Sequence, residues 1–268
     1  VTVGTDRAAT GTAGRAEDGV VERVRRYWDW RAASFRADIA ATPDREAWRR
    51  AYAEAAAALL PGRAAPLRVL DVGSGTGFVA LLFAELGHEV TAVEPAAAMR
   101  EIAAKEAAER GTGLRLLDGV AHPLPELDGG FDLVTCRNVL WTLPDPAAAL
   151  AHWRGVLRPG GAVLVSDGMW NTWRHELRLL REGLRSRGGE AVGPRFLAAY
   201  LGIRRRLPYY RGLDAARARR VLAQAGYPSP VVLDHLLPAD SYQAGTGDGY
   251  CLVGARTAAD RAAAPHES

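Results

Sequence analysis

Between Val69 and Phe78 the chain reads Val-Leu-Asp-Val-Gly-Ser-Gly-Thr-Gly-Phe, an apolar run that ends in a turn with glycine at positions 73, 75 and 77. Gly73 and Gly75 can take backbone angles closed to other residues, and they put no side chain between the main chain and a ligand. A turn of this kind, after a strand and before a helix, is where open α/β sheets bind ligands. Its spacing argues against phosphates. A dinucleotide loop needs Gly-x-Gly-x-x-Gly/Ala, but position 78 is Phe and the third glycine, Gly77, falls one place early. A phosphate loop needs Gly-Lys-Ser/Thr, which is absent, and the turn itself holds no Lys or Arg.

Glu94 closes the next apolar run, 23 positions beyond Asp71. A carboxylate at that place stands beside the glycine turn and can accept hydrogen bonds from both hydroxyls of a ribose. Asp118 ends the third run at the same edge and can face an adenine amino group.

These residues need a scaffold, and the rhythm of the chain supplies one. LRVLDV (67–72), HEVTAVE (88–94), LRLLD (114–118), FDLVTC (131–136) and AVLVSD (162–167) read as strands. Helical stretches of about 76–86, 95–110 and 146–157 separate them. The alternation predicts a doubly wound α/β fold, with a mostly parallel sheet covered on both faces. A helix over about 214–225 and two further strands, VVLDHL (231–236) and GYCLVGA (249–255), follow. Their short connection predicts one antiparallel strand. Ahead of the sheet, Val21, Val24, Trp28, Ala32 and Phe35 recur at helical steps, and a second helix runs from Thr42-Pro43-Asp44 to Pro61-Gly62.

The division expected from this reading is a disordered leader over 1–19, a helical lid over 20–60, the core over 61–168, a helical insertion over 169–213, the rest of the core over 214–257 and a tail over 258–268.

Asp71-Val72-Gly73-Ser74-Gly75-Thr76-Gly77 resembles motif I of the class I S-adenosylmethionine (SAM)-dependent methyltransferases. Glu94-Pro95 with Met99 resembles their motif II. Leu117-Asp118-Gly119-Val120-Ala121 takes the place of the adenine-contacting stretch, with Gly119 where Ala is usual. Cys136 to Pro146 resembles the segment after the fourth strand, and Leu157-Arg158-Pro159-Gly160-Gly161 the turn before the fifth. The matches run in order from about Leu67 to Asp167.

The resemblance implies a seven-stranded sheet with a reversed last strand, and SAM as cofactor. It assigns Asp71, Gly73, Ser74, Gly75, Gly77, Phe78, Glu94, Pro95, Met99, Asp118, Gly119, Val120 and Arg137 to the cofactor site. Tyr27 to Phe35 resembles the helical lid of small-molecule members, in which an aromatic and an arginine close over the SAM amino-acid end, here Tyr27 and Arg31. The planar fork of Arg31 suits a carboxylate. The acceptor is then expected beyond the fourth and fifth strands. Asp167 and His175 are the candidates to take a proton there, and Trp141, Trp170, Trp173, Tyr209 and Tyr210 the candidates to line the pocket. His122, His152 and His235 read as structural.

Composition sets the remaining bounds. The net charge is only +3, and all but one of the 34 basic residues are arginine. From Trp173 to Arg220 there are thirteen arginines against four acidic residues, which fits either a lid for an anionic substrate or a solvated helical face. Cys136 and Cys251 each sit in an apolar run and read as small buried hydrophobes, not as a disulfide framework. No His/Asp/Glu cluster has metal-ligand spacing, so no metal is expected. No uninterrupted apolar run is long enough for a membrane span, and the start of the sequence lacks a secretory h-region, so a cytoplasmic protein is the expectation.

A small-molecule acceptor, with bacterial specialised metabolism as one setting, is the leading reading. A methyltransferase for peptide, protein or RNA and a catalytically silent SAM-binding subunit stand beside it. Nucleic acid is the weaker option, because no added RNA-binding domain and no Asn/Asp-Pro-Pro-Tyr signature is found. Neither the acceptor atom nor the oligomeric state follows from the residues.

Overall fold

The computed structural model describes residues 19–29, 32, 44–169, 206–238 and 250–258. Arg31, Trp170, Trp173, His175 and most of the arginine-rich segment lie outside the described residues.

Residues 19–29 form helix α1. The following helices are α2 (Arg45–Leu59), α3 (Phe78–Glu85), α4 (Ala97–Glu109), α5 (Pro146–Val156) and α6 (Ala215–Gln224). The strands are β1 (Arg68–Val72), β2 (Glu89–Glu94), β3 (Arg115–Asp118), β4 (Phe131–Arg137), β5 (Leu157–Asp167), β6 (Val231–Val232) and β7 (Cys251–Arg256). They build one seven-stranded sheet in the order β3-β2-β1-β4-β5-β7-β6. The first five strands are parallel, and β7 runs antiparallel to both β5 and β6. This is the expected doubly wound α/β sheet with one reversed strand.

Near-continuous apolar strands follow from burial on both faces. Successive side chains of β1 point to opposite sides. Leu70 and Val72 enter a core with Val134, Val163, Val253, Leu150 and Trp153, closed by Val221 and Leu222 of α6. Val69 enters the other, with Leu133, Leu164 and Leu252, under Trp48 and Tyr52 of α2 and Phe83 of α3. Cys136 and Cys251 are free thiols inside the sheet, and burial pushes both up.

Three aspartates start the helices where the sequence places turns. The Asp44 carboxylate accepts from the Ala47 amide at 2.9 Å, Asp145 from Ala148 at 2.9 Å and Asp214 from Arg217 at 2.8 Å. Such caps satisfy amides that the first helical turn leaves without partners. Pro146, directly after Asp145, has the fixed φ a helix start needs.

The sixth strand is shorter than its apolar run suggests. Only Val231–Val232 pair, and Asp234–Leu236 turn into a 3₁₀ helix. The cause is Asp234, whose side chain accepts the Leu252 amide at 2.6 Å, so a carboxylate takes a ladder donor of β7 and the main chain turns away.

Strand order reverses between β1 and β4, which have their helical crossovers on opposite sides. Such a switch point opens a crevice at the carboxyl ends of the strands. Asp71 and Arg137 stand at that crevice, with Glu94 one strand away.

Candidate functional site

The glycine turn leaves β1 and enters α3 through left-handed backbone, with φ +64° at Gly73 and +56° at Gly75. A Cβ on Gly73 would lie 2.5 Å from Val139 Cγ2, so glycine is required there by both angle and space. The amides of Gly73 and Ser74 donate to the Val93 carbonyl at 2.8 and 3.1 Å, which pins the turn to β2.

Glu94 completes the clamp. One carboxylate oxygen accepts the Gly75 amide at 2.9 Å and the other the Ala96 amide at 2.9 Å. Burial pushes this carboxyl above its ordinary range, and the two amides work against that.

Asp71 ties three elements together. It accepts from the Thr135 hydroxyl of β4 at 2.8 Å and from the Ala80 amide of α3 at 3.1 Å. Burial pushes its carboxyl up to about 7, opposed by those two bonds and by the charge of Arg137. The Arg137 guanidinium is held by stacking and by a hydrogen bond. Its carbon lies 4.4 Å from the centre of the Phe78 ring and 5.4 Å from that of Trp48. Its Nε donates to the Tyr250 hydroxyl at 3.1 Å.

Around these residues lies a cavity of about 270 Å³. Gly73, Ser74, Gly75, Thr76, Phe78 and Val79 form one wall, with Asp71 and Arg137 at the strand ends. Glu94, Pro95 and Met99 form the second, and Val120, Ala121, His122 and Pro123 the third. Asn138, Val139 and residues 142–145 continue from β4, and Val21, Val24, Arg25 and Trp28 of α1 cover the space. Ser74 Oγ, Thr76 Oγ1 and Asn138 Oδ1 are buried against this cavity with no hydrogen-bond partner among the described residues. Buried polar atoms of that kind call for a polar guest or ordered water.

Ten of the expected cofactor residues therefore share one cavity: Asp71, Gly73, Ser74, Gly75, Phe78, Glu94, Pro95, Met99, Val120 and Arg137. Four others that are described do not line it. Gly77 caps α3 with φ +82°, where a Cβ would stand 3.2 Å from Ala103 Cβ, so its place is explained by helix packing. Gly119 is likewise crowded, with Pro125 2.8 Å from a Cβ built on it. Asp118 is 71% exposed and pairs with Arg100 at 3.0 Å. Tyr27 borders a smaller neighbouring space instead, as do Trp141 and Tyr210. Tyr209 packs at the edge of the core. Asp167 is fully buried and accepts the Gly168 amide at 2.8 Å, and it is not among the residues that line the large cavity.

Sequence reasoning missed Val21, Val24, Arg25, Trp28, His122, Asn138 and Thr142 as lining residues. The helical stripe Val21, Val24, Trp28 was the available signal, since a face with that period must cover something apolar. His122, read as structural, is exposed at the cavity wall with its ring centre 5.4 Å from that of His152. Asn138 has φ +59°, which turns the chain at the end of β4 and which no local motif announces.

Residues 70–165 match the family described as "Methyltransferase domain". Over these residues the chain is similar to a methyltransferase domain. Over 100 residues it is 36% identical to the ubiquinone biosynthesis O-methyltransferase of Xanthomonas euvesicatoria, covering 37% of this chain and 42% of that one. Over 139 residues it is 36% identical to the demethylmenaquinone methyltransferase of Thermus thermophilus, covering 51% and 58%. The chain thus spans about half the length of these relatives. The magnesium protoporphyrin IX methyltransferase of Synechocystis, solved with S-adenosylhomocysteine (SAH) bound, shares the fold at a TM-score of 0.50 and 17% identity, covering 79% of this chain and 84% of that chain. The glycine turn, Glu94 and Arg137 all fall inside the matched residues. Helix α1, which covers the cavity, falls outside them.

Among the described residues no group of His, Cys, Asp or Glu is placed to hold a metal ion, and no helix is long and apolar enough to cross a membrane.

Proposed function

We propose that the chain is a SAM-dependent methyltransferase that methylates a small-molecule acceptor. The observation that carries this reading is Glu94, whose carboxylate braces the glycine turn at Gly75 and at the same time lines the cavity. Likeness to the ubiquinone biosynthesis O-methyltransferase and the demethylmenaquinone methyltransferase supports a small acceptor.

The lining fits the cofactor. Its carboxylates are Asp71, Glu94 and Asp145 and its guanidinium groups are Arg25 and Arg137, a balance that suits a cationic guest carrying both ammonium and carboxylate groups. The orphaned oxygens of Ser74, Thr76 and Asn138 offer further polar contacts. Glu94 would hold the ribose hydroxyls, Met99, Pro95 and Val120 the adenine, and Asp71, Arg137 and Asn138 the amino-acid end. When bound, SAM supplies a methyl group on a sulfonium, a good electrophile with a neutral leaving group. The protein's share is then orientation and exclusion of water, with α1 acting as the cover. Orientation of this kind can contribute roughly 7–11 kcal/mol, whereas a general base adds about 10²–10⁴-fold. Asp167 and His175 therefore remain proposals for a base that the reaction does not require.

The test is calorimetry with SAH, followed by turnover of methyl-labelled SAM in a small-molecule extract. Micromolar binding and label in an extractable product are expected. Binding of NAD or ATP in place of SAH would reject the reading.

A further inference from the structure

The third wall of the cavity begins where β3 ends, and there the main chain parts a carboxylate from the site. Asp118 stands exposed, and its Oδ1 accepts from Arg100 at 3.0 Å. The same guanidinium donates to the Glu94 carbonyl at 2.7 Å, so Asp118 helps to tie α4 to the ends of β2 and β3. Gly119 follows, with no room for a side chain beside Pro125 and Val93. The chain then runs along the cavity as Val120, Ala121, His122 and Pro123.

Helix α5 fixes this wall through two successive residues. The fully buried Trp153 donates its indole N–H to the Ala121 carbonyl at 2.7 Å. His152, which does not line the cavity, sets its ring edge to face against that of His122. Among Val120, Ala121, His122 and Pro123, only His122 has a polar side chain. The carboxylates that line the cavity stand on other elements, Asp71 in β1, Glu94 at the end of β2 and Asp145 at the start of α5.

A purine held against Val120 presents its six-position to the polar group this wall offers. A carboxylate can only accept there, which favours an amino group and repels a carbonyl oxygen. An imidazole nitrogen accepts in one tautomer and donates in the other, so it can meet either group. We infer that His122 reads the six-position edge of the cofactor's base, in the place expected for Asp118. The site therefore takes an oxo purine as readily as adenine, and Asp118 has no part in choosing the base. This rests on the methyltransferase reading above and adds the base specificity of its cofactor site.

The experiment is calorimetric titration of the full chain with SAH and with S-inosylhomocysteine, in which a carbonyl oxygen replaces the six-amino group. The two bind wild type within about threefold of each other. Asp118→Ala leaves SAH affinity within about twofold, because the ion pair it breaks is exposed. His122→Ala weakens both ligands about three- to tenfold, the worth of one neutral hydrogen bond. His122→Gln can again donate and accept, and it recovers most of that loss for both. His122→Asp can only accept, so it alone separates them and favours SAH at least about tenfold. That preference is a ratio read within one protein, so a general loss of stability does not imitate it. Wild type that binds S-inosylhomocysteine more than about tenfold weaker than SAH overturns the inference. So does SAH affinity that His122→Ala leaves untouched, or that Asp118→Ala lowers as much as His122→Ala. Each of these leaves the methyltransferase reading standing, whereas a wild type that binds no SAH brings down both.

Discussion

The Gly75 amide points at the Glu94 carboxylate across 2.9 Å, which joins the turn after β1 to the end of β2. One side chain both shapes the binding turn and stands ready for the guest. Glu94→Ala removes both functions. Hydrogen bonds to a charged group are worth about 1.5–3 kcal/mol each, so SAH affinity falls at least tenfold. Glu94→Gln retains one acceptor and falls between. Calorimetry giving equal affinities for wild type and Glu94→Ala would remove Glu94 from the ribose site.

Asp71 makes the ligand-free protein sensitive to pH. Its carboxyl is raised by burial from 3.8 to about 7. A raised folded value means that the native state holds the proton while the unfolded chain has lost it. Stability from this group is therefore complete below about pH 4 and declines as pH rises to about 7. Glu94, raised in the same direction, adds to the slope. Thermal melts of Asp71→Asn against wild type should show a smaller loss between pH 5 and 7 in the variant, on the order of a few kcal/mol less. Identical slopes would mean that Asp71 stays ionised. Because the proposed cofactor is a cation, its affinity should rise over the same interval in the wild type.

Gly73 faces a wall. With φ +64° and Val139 Cγ2 2.5 Å from a built Cβ, Gly73→Ala combines backbone strain with a clash. Destabilisation of about 1–3 kcal/mol is expected in urea unfolding. Adding Val139→Ala relieves the clash and leaves the angle, so the double variant should recover part of the loss. No recovery would assign the whole cost to the backbone.

Arg137 depends on shape as well as charge. Arg137→Lys keeps the cation but loses the flat face over Phe78 and Trp48 and the bond to Tyr250. Loss of stability by about 1–2 kcal/mol in urea unfolding is the expected result. A variant as stable as wild type would show that stacking at this position contributes nothing.

The sheet and the glycine turn that walls the cavity were legible because they rest on local rules. Apolar runs such as Leu67–Val72 and the turn residues Gly73 and Gly75 declare a buried strand and its exit. Sequence alone did not show which residues would meet across the fold. Asp118 closes its strand as expected, yet Arg100, one turn into α4, draws it outward. Tyr27 and Trp28 are neighbours on one helix, and only docking against Ala96, Met99 and Trp141 decides which ring faces the large cavity. The end of β6 was missed for a similar reason. Asp234 looks like any polar residue in VVLDHL until the Leu252 amide of another strand is beside it.

Strand β7 lies between β5 and β6, although it comes last of the three along the chain. During synthesis the flank of β5 must wait, bare, until residues 251–256 leave the ribosome and slot in backwards. A nascent chain stalled short of that point exposes an apolar strand edge to its neighbours, so slow translation near the end should favour aggregation over a partly working domain.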